Sequence, residues 1–167
     1  MSNSSLYRDT KLGDHRVKIL SLDPGGTTGW AVWNGEYLVP GPKGFNSGQI
    51  GPHEHHLDLY NFLCFEQTHD FVVVCESFEY RNEQRVNVEL ISREYIGVAK
   101  LFTAERQRGK KLILQTAGKV KPFWSDDKLR KLGLWSVGRK HANDAMRHLL
   151  HYMVFELERT DILRMLK

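Results

Sequence analysis

The chain has 167 residues, 41% hydrophobic and 26% charged, with four Trp and a formal net charge of +4. That length fits one domain, and that composition fits a globular protein with a real core. No apolar run approaches the ~20 residues of a membrane span, and so small a positive charge tolerates a polyanionic partner without requiring one.

The first stretch, MSNSSLYRDTKLGDHR, has no apolar core segment. It reads as a polar tail over residues 1–15 rather than as a secretory signal, so a cytoplasmic protein is expected, with one domain over residues 16–167. RVKILSLD, residues 16–23, reads as a strand. PGGTTG is a turn, and WAVWNGEYLV is a second strand that turns at Asn34-Gly35, a favoured hairpin dipeptide. A loop rich in Gly and Pro follows and carries a short third strand at residues 47–50. A helix is expected over residues 54–68, with Leu57, Tyr60, Phe62, Leu63 and Phe65 at its apolar positions. FVVVCESF, residues 71–78, is short, β-branched and apolar, the pattern of a strand buried on both faces. A long helix over residues 86–108 places Ile91, Tyr95, Val98, Ala99 and Phe102 on one face. KKLILQTA is the fifth strand. SDDKLRKLGLW is a short helix with Ser125 as its N-cap. A last helix starts near His141 and runs almost to Lys167. This order predicts an α/β fold, a five-stranded sheet flanked by helices.

The two cysteines, Cys64 and Cys75, both lie in apolar contexts, as reduced thiols do, and show no zinc-type pairing. In PHEHHLD, His53, His55 and His56 with Glu54 have metal-binding chemistry, but they precede an amphipathic helix and read as its solvated start.

Glu76 ends the buried strand 71–78, where a carboxylate is costly unless something positive meets it. Asp23 ends the first strand. Ligand sites in α/β sheets form outside the carboxyl ends of strands, so these two acids, on neighbouring strands, can lie close together. In HANDAMRHLLHYM, helical spacing puts His141, Asp144, Ala145 and His148 on one face, beside an apolar stripe of Met146, Leu149, Leu150 and Met153. If that helix packs over the strand ends, His141 and Asp144 join Asp23 and Glu76. Each residue also has a duller account. Asp23 can simply start a turn, Glu76 can reach water, and His141 and Asp144 can be helix-start residues favoured by the dipole. Their conjunction at element ends favours a shared site. Clustered carboxylates repel and need cations. Hard oxygen donors suit Mg²⁺ or Mn²⁺, and two such ions ~4 Å apart activate water and stabilise the leaving oxygen in phosphodiester cleavage.

ILSLDPGGTTGWAVW resembles the first strand and turn of the RuvC-like nucleases, the Holliday-junction resolvases of the RNase H-like fold. The matching residues are Asp23-Pro24-Gly25 and Gly29. VVVCESF resembles the family's strand that ends in a catalytic Glu, here Glu76. HANDAMRHLL resembles its last catalytic helix, with His141 three residues before Asp144-Ala145. The resemblance covers residues 18–154. It implies an RNase H-like mixed sheet and a metal-dependent endonuclease, a homodimer that cuts four-way DNA junctions by paired symmetrical nicks. It further implies two Mg²⁺ or Mn²⁺ ions bridged by Asp23, with Glu76 and Asp144 each holding one or helping to position water and His141 ligating or orienting at the second. Lys119 and Lys121 in GKVK resemble the family's basic residues near the DNA backbone; solvated loop lysines are the alternative. The family's aromatic three residues after the catalytic Glu is here Glu79, so the DNA-facing role falls to its neighbours Phe78 and Tyr80, with Arg81. KPFWSDDKLRKLGLW departs from the family, and Phe123, Trp124 and Trp135 read as core. The short, divergent chain fits a phage-encoded member, and the long helix 86–108 is a candidate for the dimer interface.

Other functions stay open at this point. A nuclease of the same fold that acts on RNA–DNA hybrids, flaps or other branched DNA would share these acids. A non-catalytic DNA-binding module would lack a use for them, since carboxylates repel phosphates. DPGGTTG is also similar to the phosphate loop of actin-like ATPases, but those need two such domains and a second phosphate turn.

Overall fold

The computed structural model describes residues 17–35, 43–52, 56–67, 71–78, 91–107 and 111–167. Five strands form one sheet: β1 (Lys18–Asp23), β2 (Thr28–Trp33), β3 (Phe45–Ile50), β4 (Phe71–Ser77) and β5 (Ile113–Thr116). Their order across the sheet is β3-β2-β1-β4-β5. The β1–β2 and β2–β3 pairs are antiparallel, and the β1–β4 and β4–β5 pairs are parallel. The sheet is therefore mixed. β2 ends at Trp33, just before Asn34-Gly35, where Gly35 takes a left-handed φ of 75° and Asn34 N–H donates to Gly44 O at 3.1 Å. β2 pairs with β3 from Trp33↔Phe45, so the connection is longer than the expected dipeptide turn, and its residues 36–42 lie outside the described residues.

Helices cover both faces, and the strand period of two assigns each residue to one of them. Leu20, Leu22, Val73 and Cys75 face α1 (His56–Glu66) and α2 (Ile91–Arg106), where Leu59, Leu63, Tyr95, Ile96, Ala99 and Phe102 complete one core. Ile19, Ala31, Trp33 and Val74 face the other core, built on α3 (Ala117–Phe123), α4 (Asp126–Lys131), α5 (Lys140–Phe155) and α6 (Asp161–Arg164). β1 and β4 are apolar on both faces because they lie between two cores. No helix among the described residues is long and apolar enough to cross a membrane.

Three further expectations need correction. Helix α1 buries Leu59 and Leu63, whereas Leu57 and Phe65 are exposed. The lysines of GKVK are not on a loop: they belong to α3, which contains Pro122 and is anchored by the buried Ala117 and Val120. Helix α5 stops at Phe155 rather than near Lys167. Glu158 takes a left-handed φ of 56°, and Arg159 N–H closes back on Met153 O at 2.9 Å, so the chain leaves the helix before restarting as α6. The long helix is described from Ile91 onward, and residues 1–16, 53–55 and 86–90 lie outside the described residues. Other expectations agree with the structure. Ser125 caps α4 by accepting from Lys128 N–H at 3.4 Å. Trp124 is wholly buried, while Trp135 is half-buried under the Arg130 guanidinium. Both cysteines are free thiols, and burial pushes the Cys75 thiol far above its ordinary value.

Candidate active site

The same strand period that divides the core positions the acids. Counting from Ile19, Asp23 faces the α5 side of β1; counting from Val74, Glu76 faces the α5 side of β4. The two strands are parallel neighbours in register at Leu22↔Cys75. Asp23 and Glu76 are the next residues on each, at the carboxyl ends and beneath the same helix.

Helix α5 reaches them because of one glycine. Asp23 pairs with Gly29 on β2, and Gly29 pairs with Gln49 on β3. The backbone of α5 crosses directly over this row. A Cβ on Gly29 would stand 2.0 Å from His141 O, so only glycine lets the helix settle there. Gln49 Oε1 accepts from the His141 backbone N–H at 3.1 Å, satisfying one of the unpaired donors of the first turn. Thus seated, His141 Nδ1 lies 2.7 Å from Asp23 Oδ2.

One turn further along α5, Asp144 is buried and flanked by two cations. Its Oδ1 accepts from Arg147, which also bonds Asp126 and donates to Trp124 O at 2.8 Å. Its Oδ2 is 3.1 Å from Lys121 Nζ. That ammonium also lies 3.4 Å from Glu76 Oε1 and 3.2 Å from Oε2. His148, a turn after Asp144, places Nε2 3.0 Å from Glu76 Oε2. The sequence-predicted acids therefore share one cluster, and each is met by a protein cation or imidazole. This is what meets the charge of Glu76 at the end of its buried strand.

The protonation tendencies follow the same geometry. Burial raises the Asp23 carboxyl above its ordinary value; the His141 bond opposes this, and the charges of Glu76 and Asp144 add to the rise. Burial would raise Glu76 too, but His148 and Lys121 outweigh it and hold the carboxyl down to about 2. The Lys121 ammonium is lowered by burial and raised more strongly by the acids around it, for a net rise. His141 is raised, chiefly by its bond to Asp23.

Among the described residues, no group of three or more His, Cys, Asp or Glu is arranged to hold a metal ion. Lys121, Arg147, His141 and His148 instead engage the oxygens of Asp23, Glu76 and Asp144. The donor types nevertheless fit a hard divalent cation, with three carboxylates and one imidazole. The charges of Glu76 and Asp144 both raise the Asp23 carboxyl, as neighbouring acids that repel one another do.

Three of the five DNA-facing candidates fall among the described residues. Lys119 is exposed on α3, and Lys121 is tied to the acids. Phe78, just after β4, is half-buried against the α1/α2 core with the Arg93 guanidinium 5.6 Å from its ring centre. Tyr80 and Arg81, with Glu79, lie outside the described residues. Of the histidines in PHEHHLD, His56 begins α1 and lies 2.9 Å from Glu94 on α2. Arg147, Gln49 and Gln115 are not apparent as site residues from sequence. Arg147 carries a signal in its i,i+3 spacing from Asp144, whereas the two glutamines depend on strand register.

No protein-family model matches the chain, and no curated protein matches it in sequence. Solved structures do match in fold. A Thermus thermophilus RuvC in complex with a Holliday junction substrate is 15% identical, with a TM-score of 0.58 over 86% of this chain and 97% of that one. Another Thermus thermophilus RuvC structure is 17% identical, with a TM-score of 0.50 over 85% of this chain and 97% of that one. At these identities the likeness is one of fold.

Proposed function

The chain has the RuvC-like form of the RNase H-like fold, and on that basis we propose that it is a metal-dependent endonuclease that resolves four-way DNA junctions by paired symmetrical nicks. One observation carries the proposal: Asp23, Glu76, His141 and Asp144 converge at the carboxyl ends of two adjacent parallel strands. A neighbour of this fold is a RuvC bound to a Holliday junction, which supports junctions as the substrate.

In this proposal Asp23, Glu76, Asp144 and His141 would hold two divalent ions, Mg²⁺ or Mn²⁺. When bound, these supply Lewis-acid activation of water and neutralise charge developing on the leaving oxygen. The remaining work belongs to the chain. Gln49 and Gly29 seat the first turn of α5, so that the His141 ring is fixed against Asp23. Arg147 holds Asp144 from the buried side. Lys121 balances the acids before DNA and ions arrive. Its half-exposed ammonium can then turn to a phosphate, beside Lys119 on the same helix. Phe78, Tyr80 and Arg81, which follow the catalytic strand in sequence, would contact DNA near the branch point. Residues 16–167 act as one nuclease domain. Two copies acting as a homodimer, with α2 in the interface, would make the nicks symmetrical.

Asp23→Asn, Glu76→Gln and Asp144→Asn test the site. Each is expected to abolish cleavage of a labelled junction while junction binding and the circular dichroism spectrum stay close to wild type. Full activity in any one of them overturns its assignment.

A further inference from the structure

His148 is wholly buried, yet neither ring nitrogen faces an apolar group. Nε2 lies 3.0 Å from Glu76 Oε2, and Nδ1 lies 3.0 Å from Gln115 Oε1. Gln115 and Glu76 are register partners on β5 and β4, so their side chains leave the sheet on the same face and meet the same imidazole. The ring is thus held at one nitrogen by the strand next to the one that carries Glu76. Lys121 also touches Glu76, but it is a long, half-exposed side chain shared with Asp144. His148 is short, buried and fixed at both ends. Burying a polar ring in this way is costly unless its bonds are used. An apolar side chain of similar size would fill the same core.

We propose that His148 is a positioning residue: backed by Gln115, it fixes the rotation of the Glu76 carboxylate for ion binding. The proposal rests on the reading of Glu76 as an ion ligand. Outer partners that orient ligating carboxylates typically control metal affinity by about 10- to 100-fold.

The test is Mn²⁺ binding to the folded protein without DNA, by isothermal titration calorimetry, in wild type, His148→Leu, His148→Gln, Gln115→Leu and Glu76→Gln. His148→Leu fills the core but removes the donor, and is expected to weaken Mn²⁺ by about 10- to 100-fold. His148→Gln keeps an N–H donor near the Nε2 position and is expected to recover most of that loss. A side chain that merely fills the core would show the reverse order, since Leu packs there better than Gln. Gln115→Leu, at a half-buried strand position, is expected to weaken Mn²⁺ by about 10-fold, and it carries the test if His148→Leu does not fold. Equal affinity in the Leu and Gln variants of His148, or wild-type affinity in Gln115→Leu, overturns the proposal. If Glu76→Gln loses Mn²⁺ while those variants keep it, His148 alone is misassigned. If Glu76→Gln keeps Mn²⁺, Glu76 is no ligand and the role of His148 falls with it.

Discussion

Gly29→Ala should damage stability and activity together. The added Cβ would meet His141 O at 2.0 Å, His141 C at 2.1 Å and Ala142 N at 2.7 Å. All three are backbone atoms, so no side chain can swing aside. Ordinary contact begins near 3.4 Å, so the first turn of α5 must retreat by about 1.4 Å. Every residue of α5 from Ala142 to Leu150 is buried, so a retreat must displace the groups packed around the helix. Overpacking of this kind costs about 3 kcal/mol at the upper end of its usual range. In a domain of this size that lowers Tm by about 6–12 °C. The same retreat opens the 2.7 Å bond between His141 and Asp23 beyond hydrogen-bonding distance. A misplacement of about 1 Å in a catalytic group can cost about 100-fold in rate, so junction cleavage should fall by that order. The assays are thermal unfolding by circular dichroism and single-turnover cleavage below the new Tm. Gly26→Ala, in the turn that precedes β2, is the control: its Cβ would meet nothing within 4 Å, and Tm should stay within about 2 °C. Gly29→Ala with wild-type Tm and wild-type cleavage would refute the account of how α5 is seated.

The remaining predictions concern stability and ion binding. Gly97 is an exposed position inside α2 where a Cβ has free space; Gly97→Ala should stabilise by about 1 kcal/mol in urea unfolding, and a loss of stability would show that α2 is held differently. Arg147→Met removes the cation between Asp144 and Asp126 and leaves the largely buried Asp144 without it. Breaking such a pair costs about 3–5 kcal/mol, read as a fall in the urea midpoint, whereas an unchanged midpoint would mark the network as energetically neutral. Lys121 is partly exposed, so its ion pairs are screened, and Lys121→Ala should cost only about 1 kcal/mol without metal. Because the ammonium no longer competes for Glu76 and Asp144, Mn²⁺ should raise Tm more in this variant than in wild type. An equal rise in both proteins would argue against that competition.

The architecture was largely legible because its signals are local. β1 and β4 announce themselves as apolar runs, and the same alternation that buries Val74 tells which way Glu76 points. The stripe on α5 brought His141 and Asp144 into view for a similar reason. What stayed hidden depends on contacts between distant segments. Helix α3 contains Gly118 and Pro122, both poor helix formers, and it holds together through the burial of Ala117 and Val120 in the tertiary core. Because this helix has no local signal, the place of Lys121 between Glu76 and Asp144 does not follow from the sequence. The end of α5 was also hidden, since a left-handed turn at Glu158 lacks the glycine that usually signals it. His148 lay on the recognised stripe, but its partner Gln115 is set by the β4–β5 register, which no local pattern encodes. Gln49 is another case: it reaches His141 only because β3 pairs with β2 at Gly29.

The most direct test of the central claim is cleavage of a labelled four-way DNA junction with Mg²⁺ or Mn²⁺, run beside EDTA, a linear duplex and an RNA–DNA hybrid. The account predicts paired symmetrical nicks on the junction alone, lost in EDTA. Preferential cutting of the hybrid, or no cutting of any substrate by folded protein with metal present, would contradict it.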